Sequence, residues 1–150
     1  MIRGSCLCGR VAFELDRVVG PFELCHCPRC RKVSGSAFMA AVGVKAEDFR
    51  FVSGEEAIQT CTLPVRDRPP PYSVAFCRHC GSPVPRPPES GWFEIAAGLL
   101  DDDPGMVPDK HIYVECKAPW WEPDEGIPGY TAEEIAEYRR ARPPGQHPSD

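Results

Sequence analysis

The chain has 150 residues, of which 42% are hydrophobic and 26% are charged, and its formal net charge is −5. This is the length of one ordinary domain, and the negative charge gives no general attraction to nucleic acid or anionic lipid. No stretch approaches the roughly 18–20 apolar residues of a membrane-spanning helix, so no membrane partner is expected. Residues 1–8 contain no apolar run typical of a secretory signal, so we expect a cytoplasmic protein whose thiols stay reduced.

Short strands dominate the predicted secondary structure. Apolar residues alternate with polar ones at Val11, Phe13 and Leu15, which predicts the first strand. Six further apolar segments indicate strands: Ala37–Val44, Phe49–Val52, Ala57–Leu63, Tyr72–Phe76, Trp92–Ala97 and Ile112–Glu115. Three segments rich in turn-forming residues separate several of them: Arg66–Pro71, Pro83–Gly91 and Asp101–Pro108. The total of 18 prolines also disfavours long helices.

One helix is predicted, near the C-terminus. Thr131 and Glu134 have the spacing of a capping box at its start. We expect a single domain over residues 1–142 and a flexible tail over residues 143–150. Many short strands with Pro-rich turns predict a mainly β domain with one short C-terminal helix.

Seven of the nine cysteines fall into three groups: Cys6 and Cys8; Cys25, Cys27 and Cys30; Cys77 and Cys80. In a reducing compartment such groups are typical of metal ligands rather than disulfides. A Cys-x-Cys pair presents both sulfurs on one side of an extended strand, and a Cys-x-x-Cys pair does so across a tight turn. Zinc takes four ligands in a closed structural site and keeps an open position where only three protein ligands bind it. Seven ligands divide as four plus three, which predicts two zinc ions per chain.

Spacing alone allows two divisions of these cysteines. In the first, Cys6, Cys8, Cys77 and Cys80 form the closed site, and Cys25, Cys27 and Cys30 form the open one. In the second, the two Cys-x-x-Cys pairs join as in a zinc ribbon, which leaves Cys6, Cys8 and Cys25. We favour the first division, because the second splits a compact triad between two metals.

The cysteines lie within longer motifs: Gly4–Gly9, Cys25–Arg31 with Gly35-Ser36, Phe76–Ser82, and His111–Val114 with Lys117–Trp120. From about Gly4 to Tyr130, these motifs resemble the glutathione-dependent formaldehyde-activating enzymes, whose domain also occurs in centromere protein V. The resemblance implies a β-rich fold of small antiparallel sheets around a structural zinc. It implies that Cys6, Cys8, Cys77 and Cys80 hold that zinc, and that Cys25, Cys27 and Cys30 hold a second, catalytic zinc.

The resemblance also implies an activity, the condensation of glutathione with formaldehyde, which is a carbon–sulfur lyase reaction written in reverse. Zinc with three thiolates has a net negative charge, so it suits binding of a fourth, soft thiolate better than ionisation of a bound water. We therefore hypothesise that a small thiol, glutathione or a relative, ionises at the open position and attacks a small aldehyde held beside it. Arg29, Arg31 and Lys32 are candidate contacts for the carboxylates of glutathione.

Two alternatives stay open. The three-cysteine group could be a second structural site closed by a histidine such as His26 or His111. The domain could also be a non-catalytic, zinc-stabilised binding module, although the net charge and the lack of a basic arm weigh against nucleic acid. The sequence does not determine the oligomeric state.

Structural roles are predicted for several other side chains. Cys61 and Cys116 are interpreted as buried small hydrophobic residues. His26 is expected at the surface or behind the metal ligands, because it alternates with two of them. Core positions are assigned to Trp92, Trp120 and Trp121, and a solvated helix face to Arg139 and Arg140.

Overall fold

The computed structural model describes residues 1–65, 70–123 and 126–142. In these residues the strands are β1 (Ile2–Ser5), β2 (Ala12–Leu15), β3 (Phe22–Cys25), β4 (Met39–Lys45), β5 (Phe49–Ser53), β6 (Ile58–Leu63), β7 (Tyr72–Cys77), β8 (Trp92–Ala96), β9 (Lys110–Ile112) and β10 (Gly129–Tyr130). The α-helices are α1 (Pro28–Ser34) and α2 (Ala132–Ala141). None of the helices in this part of the chain has the length and apolar character that crossing a membrane requires.

The strands form three sheets. Strands β1, β2 and β5 make an antiparallel sheet, and β6 pairs with β7 in an antiparallel hairpin. The largest sheet has the order β10-β9-β3-β4-β8, and β9 runs parallel to both of its neighbours. The predicted mainly β fold is confirmed, but this largest sheet is mixed rather than antiparallel.

Strands β4 to β8 agree with the predicted segments to within about two residues. The segment Ile112–Glu115 is wrong as a strand, because β9 ends at Ile112 and Tyr113 turns into the left-handed region at φ 58°. Strands β1, β3 and β10 were not predicted. Each has four residues or fewer, and β3 is buried along its whole length, so it shows no alternation of apolar and polar residues.

Helix α1 corrects the prediction of a single helix. It spans seven residues, with Cys27 as its N-cap and Pro28 in its first turn, and it ends at Gly35, whose φ is 64°. A proline in the first turn and a left-handed glycine after the last turn are common helix boundaries. The helix is too short to show a helical period of apolar residues, so the sequence shows only its boundaries.

The predicted C-terminal helix is confirmed as α2. The backbone N–H of Thr131 donates to Glu134 Oε2 at 2.7 Å, and the N–H of Glu134 donates to Thr131 Oγ1 at 3.3 Å, which completes the capping box. Ile135 is 1% exposed and packs beside Ile112 of β9, so α2 is anchored to the five-stranded sheet. The tail expected over residues 143–150 lies outside the described residues.

Three clusters of buried side chains form the core. The largest joins the three-stranded and five-stranded sheets and contains Phe13, Leu15, Phe22, Val42, Val44, Phe93, Ile95 and Leu99. Burial of each such side chain contributes about 1.5–3 kcal/mol. The two smaller clusters each contain cysteines, one with Cys6 and Cys77 and the other with Cys25, Cys27 and Cys30. The cysteine groups therefore belong to the two smaller clusters and not to the largest one.

Candidate metal centres

The first cysteine cluster is the four-cysteine cluster, which consists of Cys6, Cys8, Cys77 and Cys80 with all four sulfurs within 4.8 Å of one another. The Sγ atoms of Cys6 and Cys8 are 3.6 Å apart, and those of Cys8 and Cys77 are 3.8 Å apart. Tetrahedral zinc with Zn–S bonds of about 2.3 Å places sulfurs about 3.8 Å apart. The donor set and its spacing are therefore compatible with a closed zinc site.

Two tight turns present these sulfurs. Gly9 N–H donates to the Cys6 carbonyl at 2.8 Å, and Gly81 N–H donates to the Cys77 carbonyl at 2.8 Å. Both glycines have positive φ, at 72° and 75°, a conformation that glycine adopts without strain. The turns are joined to each other, because the backbone N–H of Leu7 donates to Ser82 Oγ at 3.0 Å.

The second cluster is the three-cysteine cluster, in which the sulfurs of Cys25, Cys27 and Cys30 also lie within 4.8 Å of one another. Cys25 is the last residue of β3, Cys27 caps α1, and Cys30 lies in the helix. The Cys30 backbone N–H donates to Cys27 Sγ at 3.5 Å. The end of the strand and the first helical turn thus bring the three sulfurs together. The exposed fractions of Cys25, Cys27 and Cys30 are 7%, 2% and 8%.

The three thiols cannot all ionise without a cation. The adjacent Cys27 sulfur raises the pKa of Cys25 to about 12, and the adjacent Cys25 and Cys27 sulfurs raise the pKa of Cys30 further. Burial acts in the same direction on both thiols. A bound divalent cation would remove this penalty, so a soft metal such as zinc fits the donor set.

A cavity of about 350 Å³ opens onto the three-cysteine cluster. Its polar lining comes from Arg29, Tyr72, Glu94, Tyr113 and Arg139, and its apolar lining from Met39, Ala41, Ile95, Ala96 and Ile112. These residues belong to strands β4, β7, β8 and β9, to both helices and to the turn after β9. The volume lies in the range of small-molecule sites, about 300–1,000 Å³. The three-cysteine cluster is therefore open to a ligand.

Of the three predicted substrate contacts, the structure brings only Arg29 to this cavity. Arg29 Nη1 donates to the Pro70 carbonyl at 3.1 Å, and its guanidinium lies 5.6 Å from the centre of the Tyr72 ring. Arg31 and Lys32 follow in α1 and are not part of the cavity wall.

The two histidines pair with each other instead of joining a cysteine cluster. His26 Nε2 and His111 Nδ1 are 2.9 Å apart, both rings are buried, and the indole of Trp121 lies 4.8 Å from the His26 ring. Burial, together with the charge of His111, lowers the pKa of His26 to about 4, so that ring is neutral at pH 7. The surface location considered for His26 is wrong. Neither histidine belongs to the groups of candidate ligands among the described residues.

Other side-chain predictions need correction. Cys61 is exposed on β6 and Cys116 is half-buried, so neither is the buried hydrophobic residue expected. Trp120 is 72% exposed rather than in the core. Arg139 is not on a solvated face, because its Nη2 lies 2.5 Å from Oε2 of the buried Glu23.

The sequence analysis also missed Glu94, Tyr72 and Tyr113 as cavity residues. Glu94 and Tyr72 look like ordinary polar and aromatic positions in strands. The one signal in the sequence was the place of Tyr113 within the His111–Val114 motif. In the structure Tyr113 is the only non-glycine residue with positive φ among the described residues. Such strained residues cluster at functional sites.

Metal stoichiometry tests both clusters. We expect native mass spectrometry of protein reconstituted with zinc under anaerobic conditions to show two zinc ions per chain, because one cluster has four thiols and the other three. A mass that never exceeds one zinc would remove the three-cysteine cluster as a metal site.

Comparison with known proteins finds a family profile and a relative that match most of this chain. A sequence profile described as "Glutathione-dependent formaldehyde-activating enzyme" matches residues 1–116. A Halomonas elongata protein, provisionally named a glutathione-dependent formaldehyde-activating enzyme, is 32% identical over 152 aligned residues, which cover 92% of this chain and 94% of that protein. A crystal structure of a Rhodobacter sphaeroides protein aligns with a TM-score of 0.49 at 20% identity, over 85% of this chain and 98% of that chain. On the profile and the Halomonas relative, this chain belongs to the glutathione-dependent formaldehyde-activating enzyme family.

Proposed function

We propose that this protein joins a small thiol, glutathione or a relative, to a small aldehyde such as formaldehyde, as a zinc-dependent carbon–sulfur lyase working in the synthetic direction. The observation that carries the proposal is a set of three candidate ligands among the described residues at the cavity, one fewer than a closed zinc site takes. Three sulfurs lie within 4.8 Å of one another on the wall of a space of about 350 Å³. The four-cysteine cluster, by contrast, has the full number of ligands for a closed structural site.

The three-cysteine cluster provides the reactive position. Zinc bound by Cys25, Cys27 and Cys30 supplies a fourth coordination position that suits a soft thiolate. Ile95, Ile112 and Met39 make the adjacent wall apolar, which limits the water around a bound thiol. The enclosed space also holds the aldehyde next to the sulfur, and such positioning converts a bimolecular addition into an effectively unimolecular one.

Cationic groups at the cavity suit an anionic thiol. The Arg29 guanidinium is held between the Pro70 carbonyl and the Tyr72 ring, so it is ordered before a ligand binds. A guanidinium presents paired donors that match a carboxylate. We therefore keep Arg29 as the contact for a glutathione carboxylate, and Arg31 and Lys32 as weaker candidates farther along the same helix.

The proposed cellular setting is the cytoplasm. All nine cysteines lie in the described residues, and none of them forms a disulfide. Reduced thiols are typical of reducing compartments, where glutathione is also kept as a thiol.

Cobalt substitution tests the open position directly. Adding glutathione to protein with cobalt at the three-cysteine cluster should increase the sulfur-to-cobalt charge-transfer absorption and reshape the visible bands, because a fourth sulfur joins the metal. The response should strengthen as pH rises towards neutrality, since binding of a thiolate releases a proton in that range. Absorption spectroscopy at several pH values measures both effects.

The control ligand is S-methylglutathione, which has the same carboxylates but cannot become a thiolate, and it should leave the spectrum unchanged. A spectrum unmoved by saturating glutathione and by a simpler thiol such as 2-mercaptoethanol would contradict the proposal. The non-catalytic binding module would then be the better description of the chain.

A further inference from the structure

One acidic group lines the cavity that opens onto the three-cysteine cluster. Among the described residues that line it, Glu94 is the only one with a carboxyl group. It lies in the middle of β8, between Phe93 and Ile95, which are both buried in the core. The Glu94 side chain is 37% exposed and lines the cavity. A ligand in the cavity can therefore reach this side chain.

Two carboxylates, those of Glu23 and Glu94, compete for the guanidinium of Arg139. Arg139 Nη2 of α2 lies 2.5 Å from Glu23 Oε2 but 3.8 Å from Glu94 Oε1. Glu23 of β3 is 2% exposed, and Lys110 Nζ of β9 lies 3.9 Å from its other oxygen. The facing residue on β4 is Gly43, which has no side chain. The guanidinium of Arg139 therefore stabilises the negative charge of Glu23 more strongly than that of Glu94.

These surroundings favour a proton on Glu94. Burial first, and then the negative charge of Glu23, raise the pKa of Glu94 to about 7, against the opposing effect of Arg139. A carboxyl group with a pKa near neutrality can both accept and return a proton, which is what a general acid–base group must do.

We propose that Glu94 is a catalytic residue that carries the proton of the thiol–aldehyde addition. The inference rests on the proposed function, and it identifies the group that holds the thiol proton while the C–S bond forms. The Glu94 carboxylate takes the proton of the substrate S–H, which leaves the sulfur as a thiolate. The sulfur lone pair forms the C–S bond as the C=O π bond breaks, and the resulting alkoxide oxygen takes the proton back from Glu94. The sum is thiol plus aldehyde giving a hemithioacetal, which for formaldehyde is a hydroxymethyl thioether, and no other reactant is needed.

Proton counting tests this role without relying on turnover. Glutathione binding to zinc-loaded full-length protein is measured by calorimetry in buffers of different ionisation enthalpy, which gives the number of protons released. At about pH 8, wild-type protein should release close to one proton fewer than Glu94→Gln, because the negative charge of the bound thiolate raises the pKa of Glu94 further and the carboxyl group then keeps the thiol proton. At about pH 6 Glu94 is already protonated, since its pKa is about 7, and the two proteins should release equal numbers.

Glu137→Gln is the matched control, because Glu137 is an exposed acid on α2 and should behave as wild type. We also expect Glu94→Gln to lower kcat/KM by about 10²–10⁴-fold while both zinc ions are retained. Equal proton release by wild type and Glu94→Gln at pH 8, with glutathione bound to both, would overturn the role of Glu94. Failure of glutathione and of 2-mercaptoethanol to bind wild-type protein would instead overturn the proposed function.

A measurement on wild-type protein covers the case in which Glu94→Gln does not fold. Infrared difference spectra at pH 8, with and without glutathione, should show the C=O stretch of a newly protonated carboxyl group, shifted when glutamate is labelled with ¹³C. Absence of that band with glutathione bound would contradict the proposal.

Discussion

Replacement of Cys77 by serine is expected to leave the chain unfolded or close to unfolding at 37 °C. Cys77 is fully buried at the end of β7, and its sulfur is 3.8 Å from that of Cys8. The free energy of binding a structural zinc, about 10–16 kcal/mol in small zinc domains, is folding free energy. It equals or exceeds the 5–15 kcal/mol by which a typical domain is stable. Loss of one ligand should therefore abolish the cooperative thermal transition seen by circular dichroism.

Cys61→Ser provides the matched control. Cys61 lies on β6, the strand paired with β7, but it is exposed and belongs to neither cysteine cluster. Its replacement should change the free energy of unfolding by less than about 0.5 kcal/mol. If Cys77→Ser melted at the same temperature as Cys61→Ser, the four-cysteine cluster would have no structural role.

Replacement of Cys27 by serine should have the opposite effect from Cys77→Ser: the fold should be kept, and the second zinc and the catalytic activity should be lost. Serine is a favoured N-cap residue, so it can replace the Cys27 sulfur as acceptor for the first turn of α1. The three-cysteine cluster would keep only two sulfurs, too few to hold zinc with an open position. We expect one zinc ion instead of two by native mass spectrometry, a melting temperature within a few degrees of wild type, and thiol-dependent aldehyde consumption at the uncatalysed rate.

Cys116→Ser separates these effects from the general loss of a thiol. Cys116 is half-buried and lies outside both clusters, so this variant should retain two zinc ions and full activity. If Cys27→Ser and Cys77→Ser were equally destabilised, the division into a structural site and a reactive site would be wrong.

The sequence alone was enough to predict the features that depend on neighbours in the chain. The Thr131–Glu134 capping box and the alternation around Phe13 are local patterns, and both reappear in the structure. Cysteine spacing left two divisions of the seven clustered thiols open, and we favoured the one that keeps the compact triad together. The sulfurs lie in those groups of four and three. Helix α1 escaped prediction because seven residues are too few to show a period.

Only the tertiary structure decided which distant residues share the cavity. Arg139 follows Glu94 by 45 positions, and both look solvent-facing when each is considered on its own strand or helix. They meet because Ile135 anchors α2 beside β9, which brings Arg139 over the buried Glu23 and next to Glu94. Pairing of β3 with β9 likewise places His26 and His111 together in the interior. Periodicity reports which side of one element is apolar, but burial of a charge depends on the elements packed around it, and those are set by long-range contacts.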